Sequence, residues 1–334
     1  MLDFWHPVLR SQDLPRGRAV GVRVGGRALA LFRPGPGQVG ALDDKCSHRR
    51  MKLSLGTVRD GRLACPYHGW TFDCAGQGES PSTPKLYACV PSYDCREAEG
   101  AVWVKAAGTD RPLPEFDFDG FIPVGLVIHR IRAPLQLVID NFSENEHTAV
   151  MHADFGFDPA RSHEAVVRVE WTDRTVSVYN AGPAKRPPLF TRLIVRFRRR
   201  YHFRSDYTFH FDPPRSVVDH YWTEPDGSRE AMMRYRLFHF FVPEDEGVSR
   251  VATFAGVRSR WPIGPGGGVR PFRWRMRRAV RTTLDEDVRL LENLADQNVE
   301  IEGMKLSRFD RVLSLTRERM RRIYYEDGAV AGTA

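Results

Sequence analysis

The sequence predicts an α+β protein: an all-β N-terminal domain, then a larger domain built from an antiparallel sheet and one long helix. Three observations lead there. Within residues 1–105, short apolar stretches (19–24, 28–32, 101–104) are separated by Gly- and Pro-rich turns such as Arg33-Pro34-Gly35-Pro36-Gly37, as in a series of short strands. Between residues 166 and 257, the stretches 166–179, 193–211, 217–223, 234–242 and 251–257 largely alternate apolar with polar side chains, the pattern of an antiparallel sheet with one covered face. Residues 281–301 carry the strongest helical pattern in the chain.

The other elements follow in order. Residues 108–123 mix Pro, Gly, Asp and Phe without period and read as a linker, giving domains at 1–107 and 124–334. Residues 137–151 read as a helix with a partly polar face, 261–271 as a Pro/Gly-rich break, and the small, polar end 327–334 as frayed. With 334 residues, 42% of them hydrophobic, the chain can bury a sizeable core. Its apolar runs are too short to span a bilayer, and residues 1–10 lack the basic start and apolar core of a signal peptide. A cytoplasmic protein is expected, with no membrane partner. Cys46, Cys65, Cys74, Cys89 and Cys95 are odd in number and confined to the first third, which argues against a disulfide framework and for reduced thiols. The net charge of +8 is concentrated in 192–204 and 270–281. Solvated surface is the first reading, a dock for an acidic redox protein the second. Nucleic acid comes last, since no nucleic-acid motif accompanies the charge.

Two constellations carry chemistry. Cys46-Ser47-His48 and Cys65-Pro66-Tyr67-His68-Gly69-Trp70 place one Cys and one His on each of two short loops. Two thiolates and two imidazoles suit tetrahedral zinc or an asymmetric [2Fe–2S] centre. Zinc fingers usually pair Cys with Cys and His with His. One of each per loop suits a cluster in which both thiolates hold one iron and both imidazoles the other. Gly56, Gly61 and Gly69 would let the loops turn tightly, and Tyr67 and Trp70 either shield the centre or pack as ordinary core. Cys74, Cys89 and Cys95 match no ligand position and read as small, semi-buried residues.

The second constellation lies in Asp140-Asn141-Phe142-Ser143-Glu144-Asn145-Glu146-His147-Thr148-Ala149-Val150-Met151-His152. On a straight helix His147 and His152 would point roughly 140° apart. To share a metal, the helix must bulge or end between them; spacing alone favours two unrelated histidines. A third ligand would come from Asp287, which falls among Leu284, Val288, Leu290, Leu291 and Leu294 on the helical wheel, opposite Asp285, Arg289, Glu292 and Asp296. A carboxylate on an apolar face needs a metal or a buried Arg. Two His and one carboxylate make the ligand set of non-haem Fe(II) oxygenases.

The Cys-X-His and Cys-Pro-Tyr-His-Gly-Trp segments, sixteen residues apart and followed by Phe72, Gly76, Pro81 and Ser82, resemble the Rieske signature over roughly residues 4–106. The segment 140–152, and Glu286-Asp287 followed by Glu292, resemble the iron-binding stretches of Rieske oxygenase α subunits, closest in spacing to members built from α subunits alone, which include aromatic O-demethylases. The resemblance implies a [2Fe–2S] cluster on Cys46, His48, Cys65 and His68. It also implies a mononuclear Fe(II) on His147, His152 and Asp287, in a helix-grip (START-like) domain. Glu144 falls where the family usually has Asp and would bridge an iron-ligating His to a Rieske His of the neighbouring subunit in a homotrimer. Electrons would come from an NAD(P)H-dependent reductase, with or without a ferredoxin, and O2 would oxidise a small, aromatic or polycyclic substrate. The alternative is a Rieske electron carrier whose C-terminal domain binds a ligand but no iron. Phe155, Phe157, Phe209, Phe211 and Phe240 read as core ahead of substrate contacts.

Overall fold

The computed structural model describes residues 1–261 and 273–326. The break expected over 261–271, apart from Trp261, part of the basic stretch 270–281 and the frayed end 327–334 lie outside the described residues. The chain forms two compact units: Met1–Pro114 with Val242–Arg250, and Glu115–Phe241 with Val251 onward.

The first unit is all β. A six-stranded sheet has the order β1-β11-β10-β4-β3-β2: β1 His6–Arg10, β2 Val20–Val24, β3 Arg27–Phe32, β4 Gly40–Asp43, β10 Ser92–Ala98 and β11 Ala101–Ala106. Between β4 and β10 the chain makes a five-stranded antiparallel ladder in sequence order: β5 Thr57–Arg59, β6 Arg62–Ala64, β7 Thr71–Phe72, β8 Gln77–Glu79 and β9 Ala88–Cys89. Leu53, Leu63 and Phe72 are fully buried and share an apolar cluster with Cys46, Cys65 and Trp70. That cluster anchors the start of both Cys/His loops. The amides of Gly25 and Gly26 donate to the carbonyls of Pro243 and Glu244, each at 2.8 Å.

The second unit is an antiparallel sheet with helices. Its seven strands run in the order β12-β18-β17-β16-β15-β14-β13, with β12 Ile122–Ile131, β13 Val166–Trp171, β14 Thr175–Pro183, β15 His202–Phe211, β16 Pro214–Thr223, β17 Met233–Asp245 and β18 Val248–Ser259. Burial alternates with period two along all of β15, so one face of the sheet is covered. Against β12 lies α3, Arg273–Glu292, pinned by His129 Nε2 to Asp285 at 2.9 Å and by Arg132 to Glu292 at 2.9 Å. The other α-helices among the described residues are α1 Leu135–Ser143, α2 Leu189–Val195 and α4 Leu313–Arg319. α4 passes into a wider π turn at Met320–Glu326, and the half-buried Asp140–Arg317 pair ties α1 to α4. This is the α+β, sheet-and-long-helix architecture expected. Among the described residues no helix is long and apolar enough to cross a membrane.

Four local expectations need correction. The stretch 166–179 is a hairpin, because Thr172 Oγ1 accepts the amides of Arg174 and Thr175 and turns the chain. The first part of 193–211 is the end of a helix: Pro188 precedes α2, and Arg196 in the left-handed region (φ 51°) closes it, its own amide and that of Phe197 returning to Leu193 and Arg192. The helix read over 137–151 spans Leu135–Ser143. The long helix starts at Arg273 and stops at Glu292, where Asn293 Nδ2 caps the carbonyl of Arg289 at 2.8 Å, so Leu294 leaves the apolar face and is exposed.

Phe157 has no solvent exposure and packs on Phe203 and Phe309. Phe157→Ala is expected to lower unfolding stability by about 3–5 kcal/mol, measured as a fall in the denaturant midpoint at unchanged slope.

Candidate metal centres

The two Cys/His loops, 46–51 and 65–70, are closed in the same way. The amide of Cys46 donates to Met51 O (2.9 Å) and that of Arg50 returns to Cys46 O (2.9 Å); the amide of Cys65 donates to Trp70 O (2.7 Å) and that of Gly69 returns to Cys65 O (3.1 Å). The fifth residue of each loop has positive φ, 60° at Arg50 and 72° at Gly69. Each loop therefore buries its cysteine and exposes its histidine. The rings of His48 and His68 lie 4.5 Å apart, His48 stacks on Trp70 at 4.7 Å, and Tyr67 lies 3.8 Å from His68. Burial pushes the Cys46 thiol up to about 11; the amide of His48 opposes this and the hydrogen-bonded Cys65 thiol adds to it. A cation between the loops would reverse that balance by favouring thiolates. The four side chains are thus brought together as two buried sulfur donors and two outward imidazoles, a donor division that fits a [2Fe–2S] centre. Cys74 and Cys89 are exposed and Cys95 half-buried.

The second set forms where α1 stops. Ser143 Oγ donates back to Ile139 O at 2.6 Å, and Glu144 takes extended backbone angles. The Glu144 carboxylate then accepts the amides of Glu146 (2.5 Å) and His147 (3.3 Å), which starts a one-turn helix at His147–Ala149. Lys185 Nζ donates to the carbonyls of Thr148 (2.8 Å), Ala149 (3.2 Å) and His152. Gly156, at φ 118°, allows the chain to pass under this turn; a Cβ there would stand 2.3 Å from Thr148 O. The helix therefore ends before His147, earlier than a break between the two histidines would require, and the turn that follows aims both imidazoles one way.

Asp287 projects from the C-terminal half of α3, in the buried stripe Leu284, Asp287, Leu291. Its Oδ1 lies 3.5 Å from His147 Nε2 and 3.6 Å from His152 Nε2, and accepts Asn141 Nδ2 at 3.2 Å. One donor atom from each of His147, His152 and Asp287 falls within 4.8 Å of the others. The opposite ring nitrogens are both held by carboxylates, His147 Nδ1 by Glu144 and His152 Nδ1 by Glu286 at 2.9 Å. This is how metal-bound imidazoles are usually oriented. Sequence reasoning missed Glu286 and Lys185 in these roles. Glu286 stood beside Asp287 in the quoted segment, but Lys185 approaches from a distant strand end that no spacing marks.

Burial pushes Asp287 up to about 6, against the pull of His147 and Asn141. Burial lowers His152 to about 3, aided by His147. At His147 burial lowers the affinity for protons, but the Glu144 hydrogen bond and the charges of Glu144 and Asp287 raise it more, so the net shift is upward. A buried carboxylate that resists ionising beside two imidazoles is a site that a divalent cation would stabilise, and the donor set fits iron. The three residues border a cavity of about 710 Å³ between the sheet, the loop after α1 and α3. Phe155 lines this cavity, whereas Phe157, Phe209, Phe211 and Phe240 are fully buried core.

Two family models match the chain. Residues 4–94 match the Rieske [2Fe-2S] domain family. Residues 131–324 match the vanillate O-demethylase oxygenase C-terminal domain family. The chain is 29% identical over 186 residues to Protein TIC 55, chloroplastic, of Arabidopsis thaliana, covering 51% of this chain and 34% of that protein. It is 30% identical over 182 residues to methylxanthine N1-demethylase NdmA of Pseudomonas putida, covering 50% and 52%. The matched stretch thus spans about a third of the first of these relatives. The fold is that of dicamba monooxygenase bound to 3,6-dichlorosalicylic acid, with TM-score 0.80 and 18% identity over 98% of both chains.

The Asp287 shift has a pH consequence. Its proton is held to about pH 6 in the folded chain and to about 3.8 when unfolded, so its contribution to stability is present below about pH 4 and lost as pH rises to about 6. Asp287→Asn is expected to stabilise the metal-free chain at pH 7 by about 1–3 kcal/mol and to flatten stability between pH 4 and 6. Denaturation at several pH values in chelator checks this; an unchanged profile contradicts it.

Proposed function

The chain belongs to the Rieske oxygenases with a C-terminal domain of the vanillate O-demethylase oxygenase type, and from this premise we propose that it is a terminal oxygenase. It receives electrons from an NAD(P)H-dependent reductase, directly or through a ferredoxin, and uses O2 to hydroxylate, demethylate or desaturate a small organic molecule. The observation that carries the reading is the convergence of His147 and His152 on Asp287 at the wall of the cavity. Relatives named as a methylxanthine N1-demethylase and as a tert-butanol monooxygenase / tert-amyl alcohol desaturase oxygenase subunit support that range of outcomes.

In this reading Cys46, Cys65, His48 and His68 would hold the cluster, and neutral imidazoles among its ligands would raise its potential. His147, His152 and Asp287 would hold the mononuclear iron at the wall of the cavity that admits O2 and substrate. When bound, that iron supplies the one-electron and O2 chemistry no side chain can. The protein positions and insulates. Glu144 and Glu286 keep the Nδ1 protons in place so that each Nε2 offers its lone pair. The aromatic lining excludes bulk water. Glu144, anchored on His147, is also the link toward a Rieske histidine of the next subunit in a head-to-tail homotrimer. We place the protein in the cytoplasm, where its five free cysteines stay reduced.

Iron analysis with EPR of the anaerobically purified, dithionite-reduced protein tests the assignment. About three irons per chain with a Rieske signal are expected, falling by one in Asp287→Ala. About two irons, unchanged in that variant, would leave only the electron-carrier reading. Glu144→Ala is expected to retain the Rieske signal while reduction no longer drives turnover; product formation at the wild-type rate would contradict its role.

A further inference from the structure

The two histidines of the mononuclear set are carried by a loop. Between α1 and β13 the chain has one short helical turn at His147–Ala149 and another at Pro159–Glu164, and a segment with so little regular structure does not keep a ligand geometry unaided. Lys185 supplies what the loop lacks. It follows β14, and its backbone is fixed by the core: the amide of Ala184, which packs with Phe157 and Phe203, donates to Tyr201 O at 3.1 Å, and the amide of Lys185 donates to Gly156 O at 3.1 Å. From there the side chain reaches the ligand loop. The amides of Val150 and Met151 both return to His147 O, at 3.0 and 2.8 Å, and the carbonyls of Thr148, Ala149 and His152 accept Lys185 Nζ. Three acceptors on one nitrogen require three N–H bonds, so the group is an ammonium. Among the described residues no carboxylate pairs with Nζ; its donors all go to the loop.

The charge nonetheless acts on the centre. Glu144 and Glu286 hold the outer nitrogens of the two imidazoles, Asp287 stands at their inner nitrogens, and Asp154 lies on the same cavity wall. Burial works against the ammonium, and the charges of Glu286 and Asp154 favour it. Beyond burial, the charge of Lys185 disfavours a proton on either His147 or His152. An iron ion that loses an electron gains positive charge, just as an imidazole that takes a proton does, and a fixed cation nearby resists both. We propose that Lys185 is a positioning residue of the mononuclear centre: it holds the His147–His152 loop in its ligating shape through three carbonyls, and its charge favours the ferrous over the ferric state of iron bound there. This rests on the oxygenase reading and adds to it a residue that sets both the shape and the potential of the site. The two parts separate by chemistry. Arginine keeps the charge, but its planar fork cannot converge on three carbonyls as an ammonium does, whereas methionine keeps the stem and loses both charge and donors.

Three readouts on the full chain test this, with the Rieske signal as internal control. Fe(II) affinity is measured by anaerobic chelator competition, the midpoint of the mononuclear iron by EPR during a redox titration, and the mobility of residues 147–153 by amide hydrogen exchange with the mononuclear site emptied. In Lys185→Met the affinity is expected to fall about 10–100-fold, the range for groups that orient metal ligands. Its midpoint should move to lower potential and its loop exchange faster. Lys185→Arg should lose affinity but stay near the wild-type midpoint. In Lys185→Ala, propylammonium, which replaces the missing stem and ammonium, should restore affinity and midpoint, and the uncharged 1-propanol should restore neither. Thermal melting checks that each variant is folded; if Lys185→Met is not, Lys185→Arg and the rescue of Lys185→Ala carry the same test. The proposal is overturned if Lys185→Met keeps either the Fe(II) affinity or the midpoint of the wild type, or if 1-propanol rescues as well as propylammonium. Its failure is distinct from that of the oxygenase reading. A wild-type chain that takes up no mononuclear iron sinks the oxygenase, while faster exchange in Lys185→Met would still establish the clamp; full iron with unchanged affinity and exchange does the reverse.

Discussion

Two hydrogen bonds that imidazole Nδ1–H groups donate to carboxylates set the geometry of the larger unit: His147 to Glu144, and His152 to Glu286. Each fixes a ring and a tautomer, and together they turn both Nε2 atoms toward Asp287. The two carboxylates come from different elements, one from the end of α1 and one from α3. The bonds therefore exist only if α1 stops at Ser143 and α3 keeps its rotation. The first condition is met by the turn that Glu144 caps and Lys185 clamps. The second is met by the anchoring of α3 to β12 through Asp285 and Glu292. Moving any of these by one helical residue would rotate a ligand by about 100° and dismantle the set.

The same arrangement explains why the site is costly for the empty chain. Asp287 sits with little solvent among two imidazoles and an amide, and its proton affinity rises accordingly. The helix tolerates it because Leu284 and Leu291 flank it on the buried stripe and supply the burial that holds α3 to the sheet. Stability and function thus compete at one position, as is common where polar groups are kept in a core for chemistry.

Much of this was legible in the sequence because the signals were local. Cys-X-His and Cys-Pro-Tyr-His-Gly-Trp are short segments whose donors lie on single tight loops. Asp287 revealed itself as a charge in the middle of an apolar wheel. Period two gave β15 to β18 their places, although it also drew α2 into a strand, because the exposed Leu189, Phe190 and Leu193 blur the helical pattern. The C-terminal ends of α1 and α3 were misplaced because side-chain hydrogen bonds mark them, Glu144 accepting the amides of the turn after α1 and Asn293 donating to Arg289 at the end of α3, and a hydrophobic pattern does not see such bonds. Lys185 and the pairing of Glu286 with His152 were out of reach. They depend on which residues meet across elements, and alternation does not encode partners.

The matched closure of the two Cys/His loops has a chemical consequence for the protein before it acquires its cluster. Both loops turn their cysteines inward, and the thiols of Cys46 and Cys65 lie within hydrogen-bonding reach of each other. Burial keeps the Cys46 thiol protonated well above neutral pH, and the thiolate is the form that reacts and binds metal, so the pair is held unreactive until a cation favours its deprotonation. The fold that gathers the two sulfurs therefore also shields them as a pair. Loading of the centre and loss of the thiol protons are then one coupled event, so assembly releases protons and is hindered as the pH falls.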